Sequence, residues 1–238
     1  GLGDVYKRQA LTIEDVVAVA QRRCSVALSS RAEFQTHIEK GAKFLEQLLE
    51  EDGVIYGVTT GYGDSCTVSI PPHLVDELPL HLSRFHGCGM GDPLALDQAR
   101  AVLAVRLASL AKGYSGVRLE LLEKIVALIQ HDIVPVIPQE GSVGASGDLT
   151  PLSYLAAVLM GEREVYSGGS RVTAEKALER AGIEPIKLVP KEGLALMNGT
   201  AVMTAIACLA YSRAEYLTRL SARICLLYTS DAADDTRS

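Results

Sequence analysis

The sequence predicts a mainly α-helical fold with a small glycine-rich α+β region, and three observations carry that expectation. Hydrophobic residues make up 48% of 238 residues, aromatics only 5%, and tryptophan is absent. The core must therefore be built from aliphatic side chains and alanine, which favours helices over a sandwich of aromatic-rich strands. Apolar residues recur three and four apart over several stretches. Between those stretches, glycine clusters near Tyr56, Gly87 and Ser146 mark places where helical periodicity lapses.

Taken in order, Thr12 and Asp15 predict a capping box ahead of a short helix over IEDVVAVAQR. Ser30 and Glu33 repeat the signal, and Phe34, Ile38, Leu45 and Leu48 fall on one face of a longer helix running to about Glu51. From Asp52 to Pro93, DGVIYGVTTGYGDS reads as turns and short extended pieces, and HLVDELPLHLSRFHG as a helix interrupted by Pro79. Leu103, Leu107 and Leu110 form a helical stripe closed by Gly113. Leu119, Leu122, Val126, Ile129 and Ile133 form another, stopped by Pro135 and Pro138. A further helix is expected after Pro151, ending before YSGGSR, and TAEKALERAGI is a short amphipathic helix ending at Gly182. The stretch from Asn198 to Ile224 is a long helix whose first half is almost wholly apolar, as a buried helix would be.

Net charge is −6 from 23 basic and 29 acidic residues, which argues against a general nucleic-acid binder. Cys24, Cys66, Cys88, Cys208 and Cys225 are widely spaced without a C-x-x-C pair, so neither a disulfide scaffold nor a zinc site is expected. A reducing cytoplasm is the default, no bound metal is expected, and no uninterrupted apolar run approaches the roughly 20 residues of a membrane span. Residues 1–9 (GLGDVYKRQ) and 225–238 (CLLYTSDAADDTRS) match translated adapter sequence better than natural chain, with frayed termini as the alternative. The domain is therefore placed at 10–224, and the second of these tails is expected to break the last helix.

The segment GSVGASGDLTPLSY, Gly141 to Tyr154, is the chemically unusual one. The nucleophile elbow G-x-S-x-G fails, because in Gly144-Ala145-Ser146-Gly147-Asp148 the second glycine comes one place too early after the serine. No lysine follows to complete a Walker loop. GCGMGDP lacks a dinucleotide fingerprint, and His37, His73, His81, His86 and His131 form no H-E-x-x-H. Two readings remain for Ala145-Ser146-Gly147. It is a tight loop before a helix, or its small side chains let Gly147 N close on Ala145 C. Loss of two waters would then leave an exocyclic methylene on an imidazolone ring, an electrophile made from the chain alone.

This segment resembles the signature of the histidine and aromatic amino acid ammonia-lyase family, which builds 4-methylideneimidazol-5-one (MIO) from Ala-Ser-Gly. Three further stretches resemble family motifs in the same order. They are YGVTTGYG at Tyr56, FHGCGMGDPL at Phe85 and KEGLALMNGT at Lys191. The resemblance implies the N-terminal part of the family's helical fold and elimination of ammonia from an amino acid, giving an α,β-unsaturated acid. It makes Ala145, Ser146 and Gly147 the self-derived cofactor, Tyr56 the base, Asn198 the residue that positions electrophile and substrate, and Phe85, His86 and Leu149 the substrate contacts. Read without the resemblance, Tyr56 is a packed tyrosine beside a glycine turn and Asn198 an N-cap of the long helix, a role compatible with the other. As a base, Tyr56 needs a positive potential such as a helix N-terminus to lower an ordinary pKa near 10. No external cofactor is implied, and no lysine has a Schiff-base context for pyridoxal phosphate.

In the family, phenylalanine-selective members carry an apolar pair at the Phe85-His86 position, histidine lyases Ser-His and tyrosine lyases His-Leu. Phe-His matches none of these. A polar ring is expected, histidine or tyrosine, with Phe85 tipping the balance towards tyrosine. An aminomutase and an inactive helical assembly subunit remain alternatives. The family also carries a downstream Gln-Asp-x-Tyr-Ser-x-Arg-like segment, contributed across a homotetramer, and nothing like it stands before Ser238. The chain is thus expected to be a fragment, inactive alone.

Overall fold

In this computed structural model, residues 11–51, 53–143 and 147–235 are described. Ten helices and five short strands occur among them. The centre is α5 (Leu96–Leu110), which buries Ala99, Ala101, Val102, Leu103, Ala104, Leu107 and Leu110 and so has no polar face along most of its length. Small alanines at 99, 101 and 104 let neighbouring helices approach closely. Helix α1 (Ile13–Ala20), the first part of α10 (Ala201–Asp235) and α6 (Leu119–Gln130) pack around it. The core is aliphatic, as the composition requires. Leu103, Leu107, Leu110, Leu121, Leu122, Ile125 and Leu128 are fully buried.

Local signals explain most element ends. Thr12 caps α1 through the reciprocal bonds of a capping box, its Oγ1 accepting from Asp15 N at 3.2 Å while Asp15 accepts from Thr12 N at 3.1 Å. The expected second box fails. Helix α2 (Ala32–Glu50) begins after Arg31 with no side-chain cap, and it is Ser29 that accepts the Arg31 N–H, at 3.3 Å. Pro79 does not interrupt a helix. After the short α3 (Pro72–Val75), it sits in the first turn of α4 (Leu78–His86), where a missing N–H costs nothing. Helix α6 ends before the prolines, at Gln130, and Asp132 (φ +52) turns the chain into strands β2 (Val134–Pro135) and β3 (Pro138–Glu140).

Strand β1 (Met90–Pro93) pairs antiparallel with β3, tying the Gly87 glycine cluster to the start of the Ser146 segment. A second sheet has the order β2-β4-β5, where β4 (Glu164–Ser167) and β5 (Ser170–Thr173) form a hairpin turned by Gly168 and Gly169 at φ +59 and +79. Helix α7 (Leu149–Leu159) starts two residues before Pro151, which occupies its first turn. Helix α8 (Ala174–Ala181) ends at Gly182 in the left-handed conformation, as expected. Six-residue α9 (Glu192–Met197) precedes α10 and is buried throughout.

Two expectations about α10 change. The helix continues unbroken through Cys225 to Asp235, because the alanines and leucines of CLLYTSDAADD favour helix despite the polar residues. In addition, the interval Glu192–Thr229 is apolar and long enough to cross a membrane by length and composition alone. No charged residue lies between Gly193 and Ser212. Half of its most apolar window is buried, and Ala201, Val202, Ala205 and Leu209 pack in the same core as α5, as in the core helix of a globular domain.

One ion pair fixes α9. Glu192 is fully buried, and its carboxylate accepts from Arg118 Nε (3.0 Å) and Nη2 (2.8 Å), and from the backbone N–H groups of Arg118 (3.1 Å) and Val189 (3.0 Å). Removing the carboxylate strands Arg118, whose side chain keeps 29% exposure and so can be partly rescued by water. Glu192→Ala should lower unfolding free energy by about 2–3 kcal/mol in urea titrations, and Glu120→Ala, on the exposed partner of the same arginine, should cost less than about 1 kcal/mol.

Candidate active site

The Ala-Ser-Gly segment reaches the junction between α9 and α10 through Gly147, the tyrosine loop touches α9 through Gly57, and the Phe85 segment is tied to α7. Gly147 (φ +106) lies against the backbone of Gly199, where a Cβ on Gly147 would overlap the Gly199 nitrogen and carbonyl oxygen. Only glycine satisfies both that conformation and that contact. The next residue, Asp148, donates its backbone N–H to Gly199 O at 2.7 Å. Its carboxylate is buried. Oδ2 accepts from Val202 N (2.8 Å) and Met203 N (3.0 Å), the first turn of α10, and Oδ1 accepts from Ser142 Oγ (2.9 Å). Asp148 thus stands immediately before α7 yet caps α10. Two helix N-termini, at Leu149 and Ala201, thus flank the Gly147–Gly199 contact, and the Asp148 carboxylate answers the second of them. Ala145 and Ser146 lie outside the described residues.

Asn198 does not cap α10, a correction to the sequence reading. It ends α9, with its N–H and Nδ2 both directed to Leu194 O at 2.9 and 3.3 Å. The cap it was expected to supply comes from Asp148, 54 residues before the Val202 amide that it binds. Beneath Asn198 lies Arg106 of α5, buried to 3% exposure. Arg106 Nη2 donates to Ala195 O and, at 2.7 Å, to Asn198 O. Nη1 fills the space beside Gly199 that a Cβ would need. Burial lowers the Arg106 pKa to about 10 against the pull of Asp148, which leaves the guanidinium charged at neutral pH. Its Nε has no acceptor among the described residues.

The tyrosine loop sits on the other flank of α9. Gly57 (φ +67) is wedged between the Tyr62 ring and the Leu194 side chain. Tyr56 is half-exposed, and its hydroxyl oxygen accepts the Gly63 N–H at 3.0 Å. The Tyr62 ring stands edge-on to it, with centroids 6.3 Å apart. Burial, with a smaller contribution from Tyr56, pushes the Tyr62 pKa up to about 12, so Tyr62 stays a neutral phenol.

The Phe85 segment is fastened to α7. Tyr154 of α7 accepts the Gly89 N–H at 3.1 Å, and Arg163 stacks over the Tyr154 ring at 4.3 Å while donating to Gly87 O at 3.1 Å. These bonds hang the end of α4 on the helix that starts at the candidate electrophile. Phe85 is 79% exposed, with its ring edge-on to that of His86 at 5.1 Å. Burial lowers the His86 pKa, which favours the neutral imidazole, able both to donate and to accept. Leu149, at the first position of α7, is half-buried against the core. Among the described residues no cluster of histidine, cysteine or carboxylate side chains suits a metal, and all five cysteines are free.

Asp148, Arg106 and Tyr62 were not singled out in the sequence. An aspartate just before a helix is a cap signal, but nothing local says that it serves a different helix. Arg106, a charge inside the α5 apolar stripe, was the one visible clue.

Comparison with known proteins agrees with this fold. The pattern of the family described as aromatic amino acid lyase matches residues 11–233. A histidine ammonia-lyase from Streptococcus gordonii is 44% identical over 211 residues, covering 89% of this chain and 41% of that protein. Among solved structures, tyrosine aminomutase from Streptomyces globisporus is 41% identical with a TM-score of 0.79, covering 86% of this chain and 38% of that one. Histidine ammonia-lyase from Trypanosoma cruzi is 35% identical with the same TM-score of 0.79, over 88% and 40% of the two chains. The chain therefore spans about two fifths of the length of the relatives it matches, and with the family pattern running over nearly all of it, it belongs to the aromatic amino acid lyases.

Proposed function

We propose that this chain carries the electrophile-forming half of an ammonia-lyase that eliminates ammonia from an amino acid with a polar ring, tyrosine in preference to histidine. The observation that carries the reading is the seating of Gly147 against Gly199, with Asp148 binding the first turn of α10. That seat has no room for a Cβ, and it holds the residue whose nitrogen must attack. In the closure, Gly147 N bonds to the Ala145 carbonyl carbon, and the carbonyl oxygen leaves as water with the amide hydrogens of Gly147 and Ser146, leaving a double bond from that carbon to Ser146 N. Ser146 then loses its Oγ and its Cα hydrogen as a second water, giving the methylene without any oxidant. The resulting MIO supplies an electrophile for the substrate amine.

The other residues take roles suited to their surroundings. Tyr56 removes the β-proton as the C–N bond breaks, and an anion at its oxygen would keep the Gly63 N–H bond. Asn198, fixed at the end of α9, orients the amine side of the substrate. His86 hydrogen-bonds the ring substituent, Phe85 offers a flat apolar face and Leu149 lines the pocket. Similarity to a tyrosine aminomutase supports a phenolic substrate, and similarity to histidine ammonia-lyases supports imidazole as the runner-up. The same aminomutase likeness favours a second reading, in which ammonia returns to the β-carbon; product analysis separates a β-amino acid from an unsaturated acid. The exposed faces of Tyr56 and Phe85 suit completion by partner subunits of a cytoplasmic homotetramer, and the chain alone is expected to associate and to lack turnover.

Intact-mass and peptide mapping test the first step. The peptide spanning Ala145-Ser146-Gly147 should be lighter than its sequence by two waters, and Gly147→Ala should abolish the loss. A folded sample with an unmodified serine would contradict the reading and favour an inactive assembly subunit. Selectivity is tested in a chain extended to the length of its relatives. His86→Leu should lower kcat/KM for tyrosine roughly ten- to a hundredfold relative to phenylalanine, the cost of one lost buried hydrogen bond. An unchanged ratio would remove His86 from ring recognition. Because burial lowers the His86 pKa, its neutral form should persist below pH 6.5, the ordinary midpoint, and an NMR titration should place its midpoint on the acid side.

A further inference from the structure

Besides Asp148, a second buried charged group reaches the α9–α10 junction, and it belongs to α5, a helix that carries none of the four motifs. Arg106 is buried in the centre of the core, where an unpaired cation is strongly unfavourable and aliphatic side chains surround it on its own helix. Its Nη2 donates to two carbonyls of the α9 terminus, Ala195 O and Asn198 O, which that helix cannot satisfy internally. Its Nη1 occupies the volume that makes position 199 glycine-only, at φ +151. The far side of the same Gly199 receives Gly147 and the Asp148 N–H. One guanidinium therefore sets the height of a short backbone span, Asn198–Gly199, on which the attacking residue rests.

We infer that Arg106 is a positioning residue for closure of Ala145-Ser146-Gly147: it holds Asn198–Gly199, the span against which Gly147 is seated, and so fixes where the attacking nitrogen lies. It acts through backbone and touches neither the reacting atoms nor the substrate. The inference rests on the proposed cyclisation, which wild-type protein tests separately. The planar fork of arginine matters, because two carbonyls and the Gly199 face are served from one rigid group, whereas lysine offers a single point charge on a flexible stem. Displacing reacting groups by about 1 Å costs on the order of a hundredfold in rate. A smaller shift of this floor should thus be visible in how completely the segment closes.

The test compares Arg106→Met, Arg106→Lys and Leu107→Ala in a chain extended to the length of its relatives, scoring by peptide mapping the time course of double water loss at Ala145–Gly147 alongside thermal unfolding. Leu107 is fully buried on the same helix and serves as the stability control. Arg106→Met should close at least about tenfold more slowly than wild type, with Arg106→Lys between them and Leu107→Ala closing at the wild-type rate despite a lower Tm. If Arg106→Met yields no folded protein, Arg106→Lys must still close more slowly than Leu107→Ala. Equal closure rates for the Arg106 variants and Leu107→Ala would overturn the inference while leaving the cyclisation intact. Wild type that never loses the two waters would overturn both.

Discussion

The site depends on one buried carboxylate shared between two helices that are far apart in sequence. Asp148 leads directly into α7, yet its Oδ2 takes the two free N–H groups at the start of α10. A carboxylate at a helix N-terminus is favoured both by hydrogen bonding and by the helix dipole, and each such charged bond is worth about 1.5–3 kcal/mol when buried. That interaction locks the two N-termini together, and Gly147 and Gly199 meet in the small space between them. Without it, neither the left-handed backbone of Gly147 nor its contact with Gly199 would be enforced.

Everything around this junction serves to hold one of its two sides. The Glu192–Arg118 pair anchors the start of α9 and Arg106 its end, so the six residues between them have almost no freedom to move. The β1–β3 pairing ties the Phe85 segment to the strand that leads into Gly141, and Tyr154 fastens the same segment to α7. The tyrosine loop leans on Leu194, the residue whose carbonyl also receives Asn198. The loops that carry Tyr56 and Gly147 are thus placed by contacts with the helices beside them.

Much of this was legible in the sequence where the cause is local. The Thr12 box, the left-handed Gly182 and the α5 stripe follow from neighbours within four residues. The four motifs were legible as a set because their order is a strong signal even where each is weak. Part of what was missed depends on contacts across long separations, and part on local signals that point two ways. Asn198 looked like an N-cap because it precedes a helix, and only the fold reveals that Asp148 takes that position. The polar tail after Cys225 looked like a helix stop, but its alanines and leucines carry α10 on to Asp235. Pro79 looked like a break because a proline's meaning depends on whether it falls in the first turn or later. The convergence of Arg106, Gly199, Gly147 and Asp148 leaves no periodic trace at all, since each belongs to a different segment.

Hydrogen–deuterium exchange at the first turn of α10 tests the Asp148 bridge most directly. In the wild-type chain the Val202 and Met203 amides, donated to a buried carboxylate, should exchange as slowly as the core amides of α5. In Asp148→Ala they should exchange at least about tenfold faster, the equivalent of losing roughly 1.4 kcal/mol of local protection, while the α5 amides stay protected. Protection of Val202 and Met203 that is unchanged by the substitution would show that α10 is held by something other than Asp148, and the account of the junction would fail.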